Sequence, residues 1–271
     1  MEVNLRRIMH INLHPYTALV CGSTQGIGRA TAHAFAEAGA RVILAARNRE
    51  KLESVLSTLP RPQQQAHGIL VADFSEPESV RAAITALVSD SDNRVHILVN
   101  NTGGPAAGKI AEAKEEQFLA TFNQHLICNH ILVKALLPGM RESGYGRIIN
   151  IISTSVKVPL PNLGVSNTIR GAVASWAKTL ANELGQYGIT VNNVLPGATK
   201  TERLAGIITA NASKAAQTEA QIESKMLEEI PLRRFAEPTE IAAAAAFLAS
   251  PLAAYINGIN LPVDGGRTPS L

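Results

Sequence analysis

The sequence predicts an α/β fold: a doubly wound parallel sheet of about seven strands with helices on both faces. Three observations carry this expectation. Short β-branched runs alternate with longer helical stretches along the 271 residues. No strand run alternates polar with apolar residues, as expected where both faces of a sheet are covered. A glycine-rich loop joins the first strand to the first helix, which is where such folds begin their nucleotide crevice.

The strand-like runs are residues 17–21, 41–45, 67–71, 97–100, 147–152 and 190–195, with a short last one near 258–262. Helical stretches lie between them, among them 28–38, 77–89, 118–140 and 165–184. No internal repeat, low-complexity linker or Pro/Gly-rich break divides the chain, so one domain is expected over 1–271. Residues 202–229 stand apart as a polar, alanine-rich helical insertion before the last helix. They read as a flap over a site, or else as a plain surface hairpin.

Composition narrows the function classes. The apolar fraction is 46% and the charged fraction 17%, which suits a packed globular chain. The net charge is +3 and the basic residues are scattered, which argues against nucleic-acid binding. Cys21 and Cys128 are too few and too far apart for a disulfide framework or a zinc site, so no metal is expected and packed, reduced thiols are. No run approaches the roughly 18 apolar residues of a membrane span. Residues 1–8 show no leader pattern and read as an extra tail, with Met9 as an alternative start. The expected location is the cytoplasm.

The loop Cys21-Gly22-Ser23-Thr24-Gln25-Gly26-Ile27-Gly28 is the strongest local signal. Gly22 permits the turn off the strand, Gly26 lets the backbone approach a pyrophosphate, and Gly28 lets helix and strand pack closely. The helix that follows offers unpaired N–H donors and the positive end of its dipole to phosphates. Gly22, Ser23, Gln25, Gly26, Ile27 and Gly28 are therefore candidate cofactor residues of a Rossmann-type fold. The second strand ends Ala45-Ala46-Arg47-Asn48, with no acid to hold a ribose 2′-hydroxyl. Arg47 is placed to grip a 2′-phosphate, with Arg29 or Arg49 in support, unless it is merely a solvated residue at a helix start. This favours NADP(H), with NAD(H) the lesser alternative.

With these motifs in order, the sequence resembles the short-chain dehydrogenase/reductase family from about Thr17 to Arg267. The general likeness is to its 3-oxoacyl-[acyl-carrier-protein] reductase group. Asp73-Phe74 is similar to the family's adenine-holding aspartate and its neighbour. Asn100-Asn101-Thr102-Gly103 resembles its Asn-Asn-Ala-Gly motif, which implies that Asn101 and Gly103 lie behind the cofactor. The run Val191 to Gly197 resembles its Val-Asn-x-x-x-Pro-Gly segment, which implies nicotinamide contacts from Pro196, Gly197, Thr199 and Thr201. Val263-Asp264-Gly265-Gly266 resembles its C-terminal signature.

The resemblance also shows what is missing. Ordinary members place a tyrosine thirteen residues after a serine, a lysine four residues further on, and an asparagine upstream. The lysine cation lowers the tyrosine's pKa of about 10 so that it exchanges a proton near neutral pH. Here the serine is Ser153, but Ser166 stands for the tyrosine and Arg170 for the lysine. His125 stands for the asparagine, with Asn123 and Asn129 as alternatives. A serine hydroxyl does not ionise near pH 7, and a guanidinium stays protonated, so it can bind ribose but not relay a proton. By residue type His125 is the one suited to acid/base work, unless it is a helix histidine satisfied by backbone. Ser153 has a second reading too, as a cap at a strand end.

Two function classes follow. One is an NADP(H)-dependent oxidoreductase for a small carbonyl or alcohol, with a non-standard proton route. The other is a catalytically silent relative that binds NADP(H) or a ligand as a sensor or partner protein. A homo-oligomer, in the family usually a tetramer, is expected through helices 118–140 and 165–184. Their residues Ile127, Ile131, Ala135, Val173, Trp176 and Leu180 suggest a second apolar stripe.

Overall fold

A computed structural model describes residues 10–90 and 93–270. The suggested tail at residues 1–8 and the start at Met9 lie outside them. Seven strands form one parallel sheet: β1 (Thr17–Cys21), β2 (Arg41–Ala46), β3 (Gly68–Val71), β4 (Ile97–Asn100), β5 (Gly146–Ile151), β6 (Ile189–Pro196) and β7 (Asn260–Val263). Their spatial order is β3-β2-β1-β4-β5-β6-β7. The order reverses between β1 and β4, and ligands of such sheets bind at the strand ends beside that reversal.

The inner strands β1, β2, β4, β5 and β6 are buried on both faces, and consecutive residues feed opposite cores. Leu19 and Cys21 of β1 pack on one side with Val80 and Ile84 of α3 (Pro77–Val88), Leu132 and Leu136 of α5 (Cys128–Ser143), and Ala177 and Leu180 of α6 (Gly164–Leu184). Ala18 and Val20 pack on the other side with Phe35 of α1 (Gly26–Glu37), Leu52 of α2 (Arg49–Thr58), and Ile241 and Ala245 of α9 (Pro238–Ala249). This explains the unbroken apolar runs of the sequence: period-2 alternation has no polar face to show. Among the described residues no helix is long and apolar enough to cross a membrane.

The expected single helix over 118–140 is corrected in detail. It comprises α4 (Glu115–Phe122), a π-helical turn (Asn123–Ile127) and α5. The proposed apolar stripe also changes meaning. Ile131, Val173 and Leu180 are buried within the protomer, and Ile127, Ala135 and Trp176 pack against the same core. The large apolar side chains of α4 that face outward are Leu119 and Phe122. The insertion forms two helices, α7 (Glu202–Ala215) and α8 (Glu219–Glu228), around their own cluster of Leu204, Ile208, Ile222, Ile230 and Phe235.

One feature of the sheet was not foreseen. Asn100, Asn150, Asn193 and Asn260 occupy paired positions on four adjacent strands. Each side-chain amide donates to the next carbonyl, 2.8 Å from Asn100 to Asn150, 2.8 Å from Asn150 to Asn193 and 2.8 Å from Asn193 to Asn260. Parallel strands in register stack identical side chains at one level, so every inner amide meets both a donor and an acceptor. Removing an inner rung orphans its neighbours. Asn193→Ala is expected to cost roughly 1–3 kcal/mol for each buried group left unpaired, and Asn260→Ala, at the half-buried end, less. Urea denaturation of both variants measures this. A loss at Asn193 within the ~0.5 kcal/mol typical of surface changes would mean that the ladder contributes nothing net.

Candidate active site

The C-terminal ends of the strands surround a cleft of about 580 Å³. Its centre is the loop between β1 and α1. Gly22 and Gly26 adopt φ of +61° and +52°, a conformation that side chains resist. Gly22 is also wedged against β4, where a Cβ would stand 2.4 Å from the Asn101 carbonyl oxygen. At Gly28 a Cβ would stand 2.1 Å from the Gly22 carbonyl oxygen. Asn101 closes the crossing by donating from Nδ2 to the Cys21 and Gly22 carbonyls at 3.2 and 3.4 Å. Gly22 thus makes the turn and Gly28 the close packing that their spacing implied, and Gly26 takes the left-handed conformation facing Thr201. Opposite Gly26 lies Thr201, whose Oγ1 accepts from the Leu204 N–H and caps α7, while Thr199 Oγ1 donates to the Gly197 carbonyl.

Arg47, Asp73 and Phe74 line one end of the cleft. Arg47 is exposed just past β2. Asp73 accepts from the Ser75 N–H and hydroxyl at 2.9 and 2.7 Å, and these bonds, with help from Arg47, hold its carboxyl below the usual range. Lys51 lines the same end, one helical turn beyond Arg47, and was missed in the sequence because it sits inside α2. Arg49, one of the proposed helpers, instead pairs with Glu53 at 3.5 Å, and Arg29 is not among the cleft residues. A loop that side chains would fill, a basic end and an open 580 Å³ crevice together fit a phosphorylated dinucleotide.

The catalytic candidates converge beyond the other end. Ser153 follows β5, and its Oγ accepts from the Ser155 N–H at 3.1 Å, so the capping role is real. That bond uses a lone pair and leaves the hydroxyl hydrogen free to donate. Ser166 and Arg170 lie one turn apart on α6, both buried. Arg170 Nη1 donates to the Ile151 carbonyl at 3.1 Å, two residues before Ser153. Burial, then the nearby Arg203, lower its pKa to about 10, which still leaves it cationic at neutral pH.

Of the three candidates for the upstream position, the structure turns His125 inward. Asn123 is exposed on the π turn, and Asn129 is buried one turn further along. The π turn widens the helix there and aims His125 at Thr102, with Nδ1 2.7 Å from Oγ1. Its Nε2 is buried with no hydrogen-bond partner among the described residues. Burial, then Arg170 and Arg203, push its pKa down to about 3, with the Gly103 backbone opposing in part. In a dry site beside cations the imidazolium is the disfavoured form, which argues against His125 as a proton donor near neutral pH. Its close hydrogen-bond partner is the Thr102 hydroxyl.

Tyrosine offers no substitute. Tyr16 and Tyr145 immediately precede β1 and β5 and stack on each other with centroids 3.8 Å apart, while Tyr187 and Tyr255 precede β6 and β7. In a parallel sheet these positions share the edge opposite the cleft. Sequence reasoning also missed Arg203. From the start of α7 it lines the cleft and donates to the Gly104 and Pro105 carbonyls at 2.9 and 3.4 Å.

Fold, cleft and motif order define a dinucleotide-binding α/β protein, and comparison with known proteins identifies its family. Residues 22–268 match the family described as enoyl-(acyl carrier protein) reductase. NADPH-dependent reductase BacG of Bacillus subtilis is 30% identical over 255 residues, 94% of this chain and 98% of that one. A 3-oxoacyl-[acyl-carrier-protein] reductase of Vibrio cholerae is 35% identical over 258 residues, 94% and 98% of the two chains. The structure of L-sorbose reductase from Gluconobacter frateurii, complexed with NADPH and L-sorbose, superposes with a TM-score of 0.90 at 31% identity, covering 97% of this chain and 100% of that one. The chain belongs to the short-chain dehydrogenase/reductase family.

The buried imidazole has a consequence for stability. The unfolded chain protonates His125 near about pH 6.5, the folded one only near pH 3. Between these values the unfolded state holds the extra proton, so this contribution is complete above about 6.5 and declines as the pH falls. Unfolding free energies of the parent and of His125→Gln, measured from pH 7 to 4, should converge, because the variant lacks the acid-side loss. Curves that stay parallel would show that His125 titrates in the fold as it does in the unfolded chain.

Proposed function

We propose that this protein is an NADP(H)-dependent oxidoreductase acting on the carbonyl or alcohol of a small molecule, with water rather than a tyrosine moving the proton. The observation that carries this is a formed dinucleotide cleft, beyond whose end Arg170 binds the Ile151 carbonyl two residues before Ser153, with Ser166 one turn away on the same helix. The names of BacG, an NADPH-dependent reductase, and of the sorbose reductase bound to NADPH support the cofactor and the reaction class.

Gly22, Ser23, Gln25, Gly26, Ile27 and Gly28 would hold the pyrophosphate against the N-terminus of α1. Arg47 and Lys51 would hold the 2′-phosphate, Asp73 and Phe74 the adenine, and Asn101 and Gly103 the rear of the cofactor. Pro196, Gly197, Thr199 and Thr201 would hold the nicotinamide amide. The bound dinucleotide supplies or accepts the hydride. Ser153 and Ser166 donate hydrogen bonds to the substrate oxygen, and Arg170 holds the ribose while its buried charge favours the oxygen as it becomes negative. His125 stays neutral and positions Thr102. The proton then comes from water, since none of these four side chains exchanges one near neutral pH. That same fact favours the second reading, a silent NADP(H)-binding relative. The helical pair α7–α8 is the flap of either reading. Exposed Leu119 and Phe122 on α4 favour a homo-oligomer, the tetramer usual in the family, as part of one cytoplasmic single-domain protein.

NADP(H) should bind more tightly than NAD(H), with the preference shrinking in Arg47→Ala and further in Arg47→Ala/Lys51→Ala. Calorimetric titration with both cofactors reads this, and an unchanged preference in the double variant would remove the 2′-phosphate assignment. NADPH oxidation with a panel of ketones, quinones and acyl thioesters separates the two functional readings. A positioned acid typically contributes a factor of about 10² to 10⁴. Parent turnover should therefore be slow, and Ser166→Tyr with Arg170→Lys should raise it. A parent as fast as ordinary family members would sink the water route, and firm NADP(H) binding without any turnover would favour the silent relative.

A further inference from the structure

The charges at the catalytic end do not balance. Arg170 is 8% exposed, and its hydrogen bond is to a neutral carbonyl. Arg203 likewise bonds neutral carbonyls, those of Gly104 and Pro105. Its guanidinium rests so close to Gly104 that a Cβ there would stand 2.6 Å from Nη2. The residue as a whole is exposed, yet its guanidinium is shielded enough from water that burial lowers its pKa. Among the described residues neither arginine forms a salt bridge with a carboxylate. Glu202, next to Arg203 in the chain, pairs with neither. Arg203 bonds the Gly104 carbonyl at 2.9 Å, two residues along from Thr102, whose hydroxyl lies 2.7 Å from His125, and its charge acts on both Arg170 and His125.

Buried or shielded charges are as a rule paired. The ligand expected at Arg170, a ribose, is uncharged. The dinucleotide's phosphates have their own seats on the loop 22–28 and at Arg47. Neither seat supplies a carboxylate or phosphate to Arg170 or Arg203, and the substrate is the remaining component that could.

We propose that Arg203 and Arg170 form an oxyanion subsite, so that the substrate is a carbonyl compound carrying a carboxylate or phosphate close to its reacting carbon. This rests on the reductase reading above. Arg203 would exchange the carbonyls of Gly104 and Pro105 for two oxygens of the acid group, a geometry that its planar fork matches. Because Arg203 stands at the start of α7, the acid group would also set where the flap rests.

The test compares 4-oxopentanoate with its neutral methyl ester as NADPH-dependent substrates, in the parent, Arg203→Gln and Arg203→Lys. The acid should be preferred in kcat/KM by about tenfold or more, as one charge-assisted bond supplies. The preference should collapse towards one in Arg203→Gln and survive in part in Arg203→Lys. If instead acid and ester fall together, Arg203 only latches the flap. If the loss lies in NADP⁺ affinity with the preference kept, its anion is the cofactor's pyrophosphate. Either result overturns the subsite. Should neither compound turn over, the NADP⁺-saturated protein is titrated calorimetrically with 4-oxopentanoate and with hydroxyacetone phosphate. Saturable binding of either that is lost in Arg203→Gln upholds the subsite while the reductase reading fails, and no binding of either overturns it.

Discussion

Every part of the site hangs on one steric constraint, the crossing of the β1–α1 turn over the end of β4. Gly22 is pressed against the Asn101 backbone, Gly28 against the Gly22 carbonyl, and Asn101 ties the three together through its amide. No side chain fits at either glycine, so the turn lies flat and α1 starts directly over the strand ends. That placement points the free N–H groups of α1 into the crevice at the sheet's reversal point. Asn101 is also the residue before Thr102, the partner of His125, so the same crossing that shapes the phosphate end reaches the catalytic end one residue later.

At the catalytic end the governing quantity is charge in a shielded place. Arg170 and Arg203 disfavour each other and disfavour a proton on His125. In an ordinary family member the cation beside the catalytic group depresses a tyrosine and thereby makes an acid. Here the neighbouring side chain is a serine, whose hydroxyl remains out of range, so the same field acts on a histidine and removes an acid. In the proposed reaction the site would hold a negative oxygen well and protonate it poorly. Electrostatic preorganisation and proton transfer are separable contributions to carbonyl reduction, and the proposal gives this chain the first.

The asparagine ladder stiffens the platform beneath these groups. It joins β4, β5, β6 and β7 at the level where Asn101 leaves the sheet, three residues before Ser153 and four before Gly197. Asn192, on the opposite face, binds the backbone at Ile256 and Ile259 and so fixes the segment that leads into β7. β4 ends at this rung and β5 one residue past it, while β6 and β7 run three residues further, so the ladder ties the strands together just below the loops that carry the site.

The sequence by itself determined the fold class, because glycine spacing, helix starts and unbroken apolar strands are local consequences of backbone sterics and burial. It placed six strands within a residue or two, and it singled out Gly22, Gly26, Arg47 and Asp73, which line one crevice. It also showed that tyrosine and lysine were absent from the usual register. What it could not show were the effects of neighbours distant in the chain. The protonation of His125 depends on a π turn and on two arginines, one 45 and one 78 residues away in sequence. The apolar residues of α5 and α6 looked free for a partner until the sheet was there to cover them. Arg203 and Lys51 read as ordinary helix-surface cations, and the four asparagines as four unrelated residues, until parallel register set them side by side. Backbone preference is written residue by residue, whereas a pKa, a charge imbalance and a hydrogen-bond ladder exist only between groups that folding brings together.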